Sequence, residues 1–201
     1  MRKTELSHAD LTERALDEAE RQVREGGRQA LSMRLIARAA SCASGTLYNV
    51  IGDLDDIILH VNARTTEALA DELDRAAGAH ADPVACIRAM AQAYVATGGS
   101  DPKLWSLLFD YQRPEGREMP DWYRAILARP IETVHREARP AFLSDEACTD
   151  FVAQIWAALH GVVALSITDK LSILIDKPVA AFVDDLVDAH LRAAGVEVKT
   201  I

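Results

Sequence analysis

Four side chains able to read the edge of a nucleic-acid base stand within one six-residue stretch: Ser44, Thr46, Tyr48 and Asn49. Hydroxyls and an amide both donate and accept hydrogen bonds, which is the chemistry of direct readout in a DNA groove. Leu47, in their midst, is an apolar anchor, and Gly45 adds no side chain of its own. Just ahead, Ala40, Ser41, Cys42 and Ala43 are small, which suits a sharp helix–helix turn. The helix before that turn is expected to open at Ser32, whose hydroxyl stands where an N-cap would. Helical spacing sets Leu35, Ile36 and Ala39 towards a core. Two short helices and a tight turn are the layout of a helix-turn-helix, whose second helix can enter a major groove. Ser32, Met33 and Arg34 would then meet the DNA backbone beside it.

Other chemistry finds less support. There is no glycine-rich phosphate loop, nucleophile elbow or zinc-binding histidine pair. His60, His80, His135, His160 and His190 are scattered, so neither a metal site nor a catalytic histidine is expected. Asp53, Asp55 and Asp56 cluster at a helix start, where carboxylates favour the positive dipole end. Cys42, Cys86 and Cys148 are far apart and odd in number, which excludes a disulfide framework. Cys42 reads as small packing or as a redox switch, and the former is favoured. No enzyme activity and no cofactor are expected.

The stretch 31–58 resembles the DNA-binding end of TetR-type transcriptional regulators. Those proteins read as a small-residue turn, a Gly-Thr-Leu-Tyr core and a capped fourth helix. Gly45-Thr46-Leu47-Tyr48 matches letter for letter, and Ser32, Arg34, Ile36 and Ala37 match in type. The chain departs from the pattern at five positions. The usual Gly of the turn is Ser41, the following aliphatic is Cys42, and the Ser cap of the recognition helix is Ala43. The aromatic that closes that helix is Ile51, and the phosphate-touching Lys of the fourth helix is Leu54. The resemblance implies a three-helix DNA-binding head, residues 1–55, and a larger ligand-binding and dimerisation body, residues 56–201. It implies a homodimeric repressor released from a palindromic double-stranded operator by a small, mostly apolar effector. The alternative is an all-α ligand-binding or interaction dimer whose head has lost DNA binding, which Ala43 and Leu54 favour.

The whole chain fits such a protein. Its 201 residues are 49% hydrophobic and 26% charged, an ordinary globular balance. Aromatics are 5%, Ala and Leu abound, and no strand-like alternation persists, so the fold is expected to be all-α with about nine helices. No stretch of about 18 or more uncharged apolar residues stands out, so no membrane partner is expected. The polar N-terminus lacks an apolar signal core, which points to the cytoplasm. The formal net charge of −9 argues against indiscriminate coating of nucleic acid. Its distribution matters more: residues 26–52 hold no acid, while Arg28, Arg34 and Arg38 lie there. Arg2 and Lys3 form a short arm that could reach a groove or stay loose.

The remaining elements follow from caps and breakers. Ser7 or Asp10 should start a first helix that ends at Gly26-Gly27. Asp53 should cap a long helix over 54–77. Helices are expected over 83–97, ending at Gly98-Gly99, then over 103–111, 120–139 with a kink at Pro130, 144–168 and 178–195. The stretch 151–165 is apolar nearly all round, so it should meet both a core and a partner subunit. Phe151, Ile155, Leu159 and Val163, with Phe182 and Leu186 of the last helix, are the expected dimer interface. Trp156, His160 and Gly161 resemble a Trp-x-x-x-His-Gly signature of one subgroup's C-terminal domain. Trp156 and His160 share a helix face. His160 is either a satisfied core histidine or a polar group facing a ligand cavity. Tyr94, Trp105, Phe109, Trp122, Trp156 and His160 are the candidate effector contacts, since such pockets are mostly apolar with a few oriented polar groups.

Overall fold

The structure is a computed structural model that describes residues 7–198. The Arg2–Lys3 arm and the last three residues lie outside the described residues. Helices α1 (His8–Gly26), α2 (Met33–Ala39), α3 (Ser44–Val50), α4 (Leu54–Gly78) and α5 (Pro83–Ser100) come first. They are followed by α6 (Pro102–Asp110), α7 (Asp121–Ala138), α8 (Asp145–Ile167), α9 (Leu171–Leu174) and α10 (Val179–Ala193). Two 3-10 turns, Arg28–Ala30 and Arg139–Ala141, complete the order, and no strand occurs among the described residues. The fold is all-α, as expected.

The caps explain the boundaries. Ser7 and Asp10 form a reciprocal capping box at α1, and Gly27 ends that helix at φ 69°. Asp53 opens α4: its Oδ1 accepts from the backbone N–H groups of Asp55 (2.9 Å) and Asp56 (3.1 Å). Asp82 and Ser144 cap α5 and α8 in the same way. Two expectations are corrected. Helix α5 continues through Gly98 and Gly99 to Ser100, with Gly98 buried, so packing overrides the low helix propensity of the pair. The short helix α9 and its exposed Ile173 and Leu174 carried no signal long enough to read.

The chain divides into two compact units. One comprises the described part of Met1–Thr66 with Lys103–Arg124; the other comprises Glu67–Pro102 with Ala125–Ile201, as far as it is described. The first is built on α1, α2 and α3, with Leu16, Val23, Ile36, Leu47, Ile57 and Val61 at its centre and Leu104 and Leu107 of α6 packed in. Lys103 Nζ donates to the Glu25 carbonyl (2.6 Å), and the Arg28 guanidinium lies 5.1 Å from the Tyr111 ring centroid. In the second unit α5 packs on α8 and α10, and α8 packs on α10. Arg88 of α5 holds Asp188 of α10 at 2.7–2.8 Å.

Helix α8 is the one helix among the described residues of membrane-spanning length and apolarity. By length and composition alone it could cross a membrane. Seven of its residues, Cys148, Phe151, Val152, Ile155, Leu159, Val162 and Val163, are buried in the unit.

Candidate functional site

The turn between α2 and α3 is a Schellman motif. Cys42 N–H donates to the Ala37 carbonyl (3.0 Å) and Ser41 N–H to that of Arg38 (3.1 Å). Ser41 therefore sits at φ 58°, the left-handed region that a glycine would occupy without strain. The departure from the family's Gly thus costs backbone energy without changing the turn. Cys42 is half-buried, and burial pushes its thiol pKa up, which suits packing and not redox chemistry. Cys86 and Cys148 are buried and likewise raised, mainly by burial.

Helix α2 buries Ile36, Ala37 and Ala40, whereas Leu35 (41% exposed) and Ala39 face solvent. That corrects the expected face by one residue at each end. Ser32 precedes α2 but makes no side-chain cap; its N–H donates to Gln22 Oε1 at 2.8 Å. Gln22 is buried on the apolar stripe of α1 and in turn donates to Glu18 Oε1 at 2.7 Å. A polar residue in phase with Leu11, Ala15 and Ala19 was the signal that could have found it.

Leu47 is fully buried and pins α3 to the core. Around it Gly45, Thr46, Tyr48 (52% exposed) and Asn49 all face solvent, and Ser44 is half-buried. Arg34 is exposed on the neighbouring helix, while Ser32 and Met33 are half-buried. No side chain caps α3, because Ala43 stands at that position. One turn beyond, Gly52 N–H donates to the Tyr48 carbonyl (3.1 Å), so the acidic opening of α4 adjoins the end of α3. Arg117 answers it, meeting Asp53 at 2.6 Å and Asp55 at 3.4 Å, and Arg113 meets Asp56 at 3.0 Å. The Arg117 guanidinium holds the Asp53 carboxyl below the usual carboxylate range. Sequence spacing carries no sign of these pairs, which join positions about sixty residues apart.

The six candidate effector contacts do not form one site. Trp105, Phe109 and Trp122 belong to the first unit. There Trp105 lies 4.7 Å from Phe109, and Trp122 stacks on His60 at 4.7 Å and meets Tyr123 edge-on at 5.6 Å. Burial pulls the His60 pKa down, which keeps that stacked ring neutral. Tyr94, Trp156 and His160 do come together in the second unit. The Tyr94 and Trp156 rings meet edge-on at 4.9 Å, and Tyr94 OH lies 3.5 Å from His160 Nδ1. Burial pushes the Tyr94 phenol pKa up. Beside them Leu73, Met90, Val134 and Leu159 enclose a void of about 20 Å³, too small for an effector as it stands. A larger groove of about 460 Å³ runs between α7 and α8. Residues that could ligate a metal form no cluster of three or more among the described residues.

The expected dimer contacts are corrected in the same way. Phe151, Ile155, Leu159 and Val163 (1% exposed) are buried within the single chain, so they are not open to a partner. The flank that α8 leaves to solvent carries Ala153, Ala157 and Ala164, with Gly161 half-exposed. Phe182 and Leu186 of α10 are also half-exposed.

No curated protein matches the chain. Among solved structures, a protein of unknown function from Rhodococcus sp. RHA1 is 19% identical with a TM-score of 0.80, over 96% of this chain and 98% of that one. The TetR family transcriptional regulator PfmR from Thermus thermophilus is 18% identical with a TM-score of 0.62, over 89% and 97%. The multidrug binding protein EbrR, solved with imidazole, is 19% identical with a TM-score of 0.61, over 94% and 96%. Such likenesses show a shared fold. The family model for the tetracyclin repressor-like C-terminal domain matches residues 87–190, just over half of the chain. With that match in the body and the helix-turn-helix in the head, the chain belongs to the TetR family of DNA-binding transcriptional regulators.

Proposed function

We propose that the protein is a homodimeric repressor that leaves a palindromic operator when a small, mostly apolar effector binds. The observation that carries this is the face of α3: Thr46, Tyr48 and Asn49 point outward around a wholly buried Leu47. Ser44, Thr46, Tyr48 and Asn49 read base edges, and Gly45 lets the backbone come close. Ser32, Met33 and Arg34 meet phosphates beside them and set the register. Residues 1–55 form this head, and 56–201 bind the effector and the second copy. The effector acts on Tyr94, Trp156 and His160, the three candidates that meet in one unit, and the void of about 20 Å³ beside them must widen for direct contact. It favours a dimer whose heads are wrongly spaced, so DNA release is a population shift driven by differential affinity. A related fold named as a multidrug binding protein supports a small-molecule effector.

The second copy packs on the Ala153–Ala157–Gly161–Ala164 flank of α8 and on Phe182 and Leu186. Phe182→Glu should then give a folded monomer in sedimentation at micromolar concentration, and a monomeric wild type would contradict the dimer.

A second reading keeps the dimer but not the DNA. It is favoured by the uncapped α3 and by the carboxylates of Asp53, Asp55 and Asp56 beside it. A gel shift on the DNA flanking the coding region, at two salt concentrations, separates the two. The repressor reading expects a discrete complex that weakens with salt; no complex at low salt would favour the alternative.

A further inference from the structure

The groove between α7 and α8 has the makings of a site. At about 460 Å³ it falls in the range of small-molecule pockets. Its walls are Ile131 (43% exposed), Val152, Ala153, Trp156 and Ala157, all apolar. The polar groups of its lining are Glu132, His135, Arg136 and Thr149. His135 Nε2 lies 3.2 Å from Thr149 Oγ1, and that hydroxyl donates to the Asp145 carbonyl at 3.0 Å. Arg136, whose side chain is 60% exposed, donates to Asp74 (2.9 Å) and Glu137 (2.8 Å), so two carboxylates offset its charge. Glu132 adds negative charge to the rim. An anionic head would meet Glu132 there, with the Arg136 charge already offset by two carboxylates. A hydroxyl or carbonyl head carries no charge and meets no such repulsion.

Trp156 has a second role. It lines both this groove and the small void beside Tyr94, so its indole is the wall between them. On the void side the Trp156 ring meets Tyr94 edge-on at 4.9 Å, and the Tyr94 hydroxyl lies 3.5 Å from His160 Nδ1. Ala153 and Ala157 belong both to the groove and to the exposed flank of α8, so an occupant also borders the face offered to a second copy.

We propose that the α7–α8 groove binds an apolar, non-anionic small molecule of medium-chain size, and that Trp156 passes its presence to Tyr94 and His160. This deepens the effector reading above and rests on it for its regulatory meaning. The probes are 1-octanol and octanoate, titrated calorimetrically into the full-length protein. Octanol should bind saturably and raise the melting temperature, with octanoate at least tenfold weaker. Ile131→Trp, which fills the groove from α7, should weaken octanol at least tenfold. Ala153→Phe fills it from α8 and serves if the first variant melts early. Octanol should also change the intrinsic fluorescence, and Trp156→Phe should abolish that change because Trp105 and Trp122 lie in the other unit. No saturable binding of octanol, equal binding of octanoate, or unchanged affinity in both filled variants would overturn the site. A fluorescence change that survives in Trp156→Phe would overturn the role of that ring. No DNA enters this titration, so its failure leaves the operator reading standing, and a failed gel shift leaves the groove standing.

Discussion

Helices α3 and α8 use their residues in opposite ways. Helix α3 has seven residues and buries one, Leu47; helix α8 has twenty-three and buries seven. What α3 does is carried by the side chains it leaves in water. What α8 does is carried first by those it hides, and one outward row holds only Ala153, Ala157, Gly161 and Ala164, with Gln154 exposed beside it. A surface that reads DNA must show hydrogen-bonding groups, whereas the centre of one that packs on a second copy is mostly apolar and close-packed. The first kind announces itself in a sequence and the second does not.

The largest effect is expected in α8. Val163→Glu places a carboxylate in the core with no partner, a cost of several kcal/mol by the usual penalty for burying an unpaired charge. It should unfold the body and not merely separate the dimer, as followed by circular dichroism on heating. A stable, folded monomer would mean that Val163 faces a partner after all.

In α3, Leu47→Ala should cost roughly 2–5 kcal/mol, the range for deleting a buried leucine side chain. Tyr48→Ala, one residue on, should stay within about 0.5 kcal/mol of wild type, as exposed substitutions do. Urea denaturation of the two variants checks the contrast. Equal losses would mean that Tyr48 is part of the core.

Smaller effects sharpen the picture of the turn. Ser41→Gly relieves a left-handed residue and should stabilise by about 1 kcal/mol, the usual cost of that region for a residue with a side chain. A loss of stability would place the gain from reduced unfolded-state freedom ahead of the strain.

The smallest change is expected for Arg117→Ala. Asp53 has a folded-state pKa below its unfolded one, so its pairing contributes stability above the unfolded value. That contribution is lost as the pH falls through the folded value. The variant should therefore differ most from wild type at neutral pH and converge with it in acid. Urea midpoints at pH 7 and pH 3 measure this, and a difference that grows on acidification would contradict the assignment.

How much of this could be read from residues alone follows the same divide. Gly45-Thr46-Leu47-Tyr48, the Ser7, Asp53, Asp82 and Ser144 caps and the apolar stripe of α1 mark the head and the helix starts by local rules. Gly98-Gly99 misled because a buried glycine can sit inside a helix when packing favours it. The dimer residues misled because an all-round apolar helix has no phase: Phe151 and Val163 are as apolar as any interface, and only burial tells which side they take. The aromatics misled for a topological reason. Trp105, Phe109 and Trp122 follow Tyr94 closely in sequence, yet the chain returns them to the first unit. The Arg113–Asp56 and Arg117–Asp53 pairs were invisible for the same cause.

On the proposed function, the exposed face of α3 reads DNA. Fluorescence anisotropy on a labelled fragment flanking the coding region tests it, with wild type, Tyr48→Ala and Arg34→Ala titrated across a salt series. Tyr48→Ala should lose preference for that fragment over random DNA while its melting temperature holds. Arg34→Ala should weaken both DNAs alike and lower the salt slope by about one. A Tyr48→Ala protein that still prefers its fragment as wild type does would contradict the account.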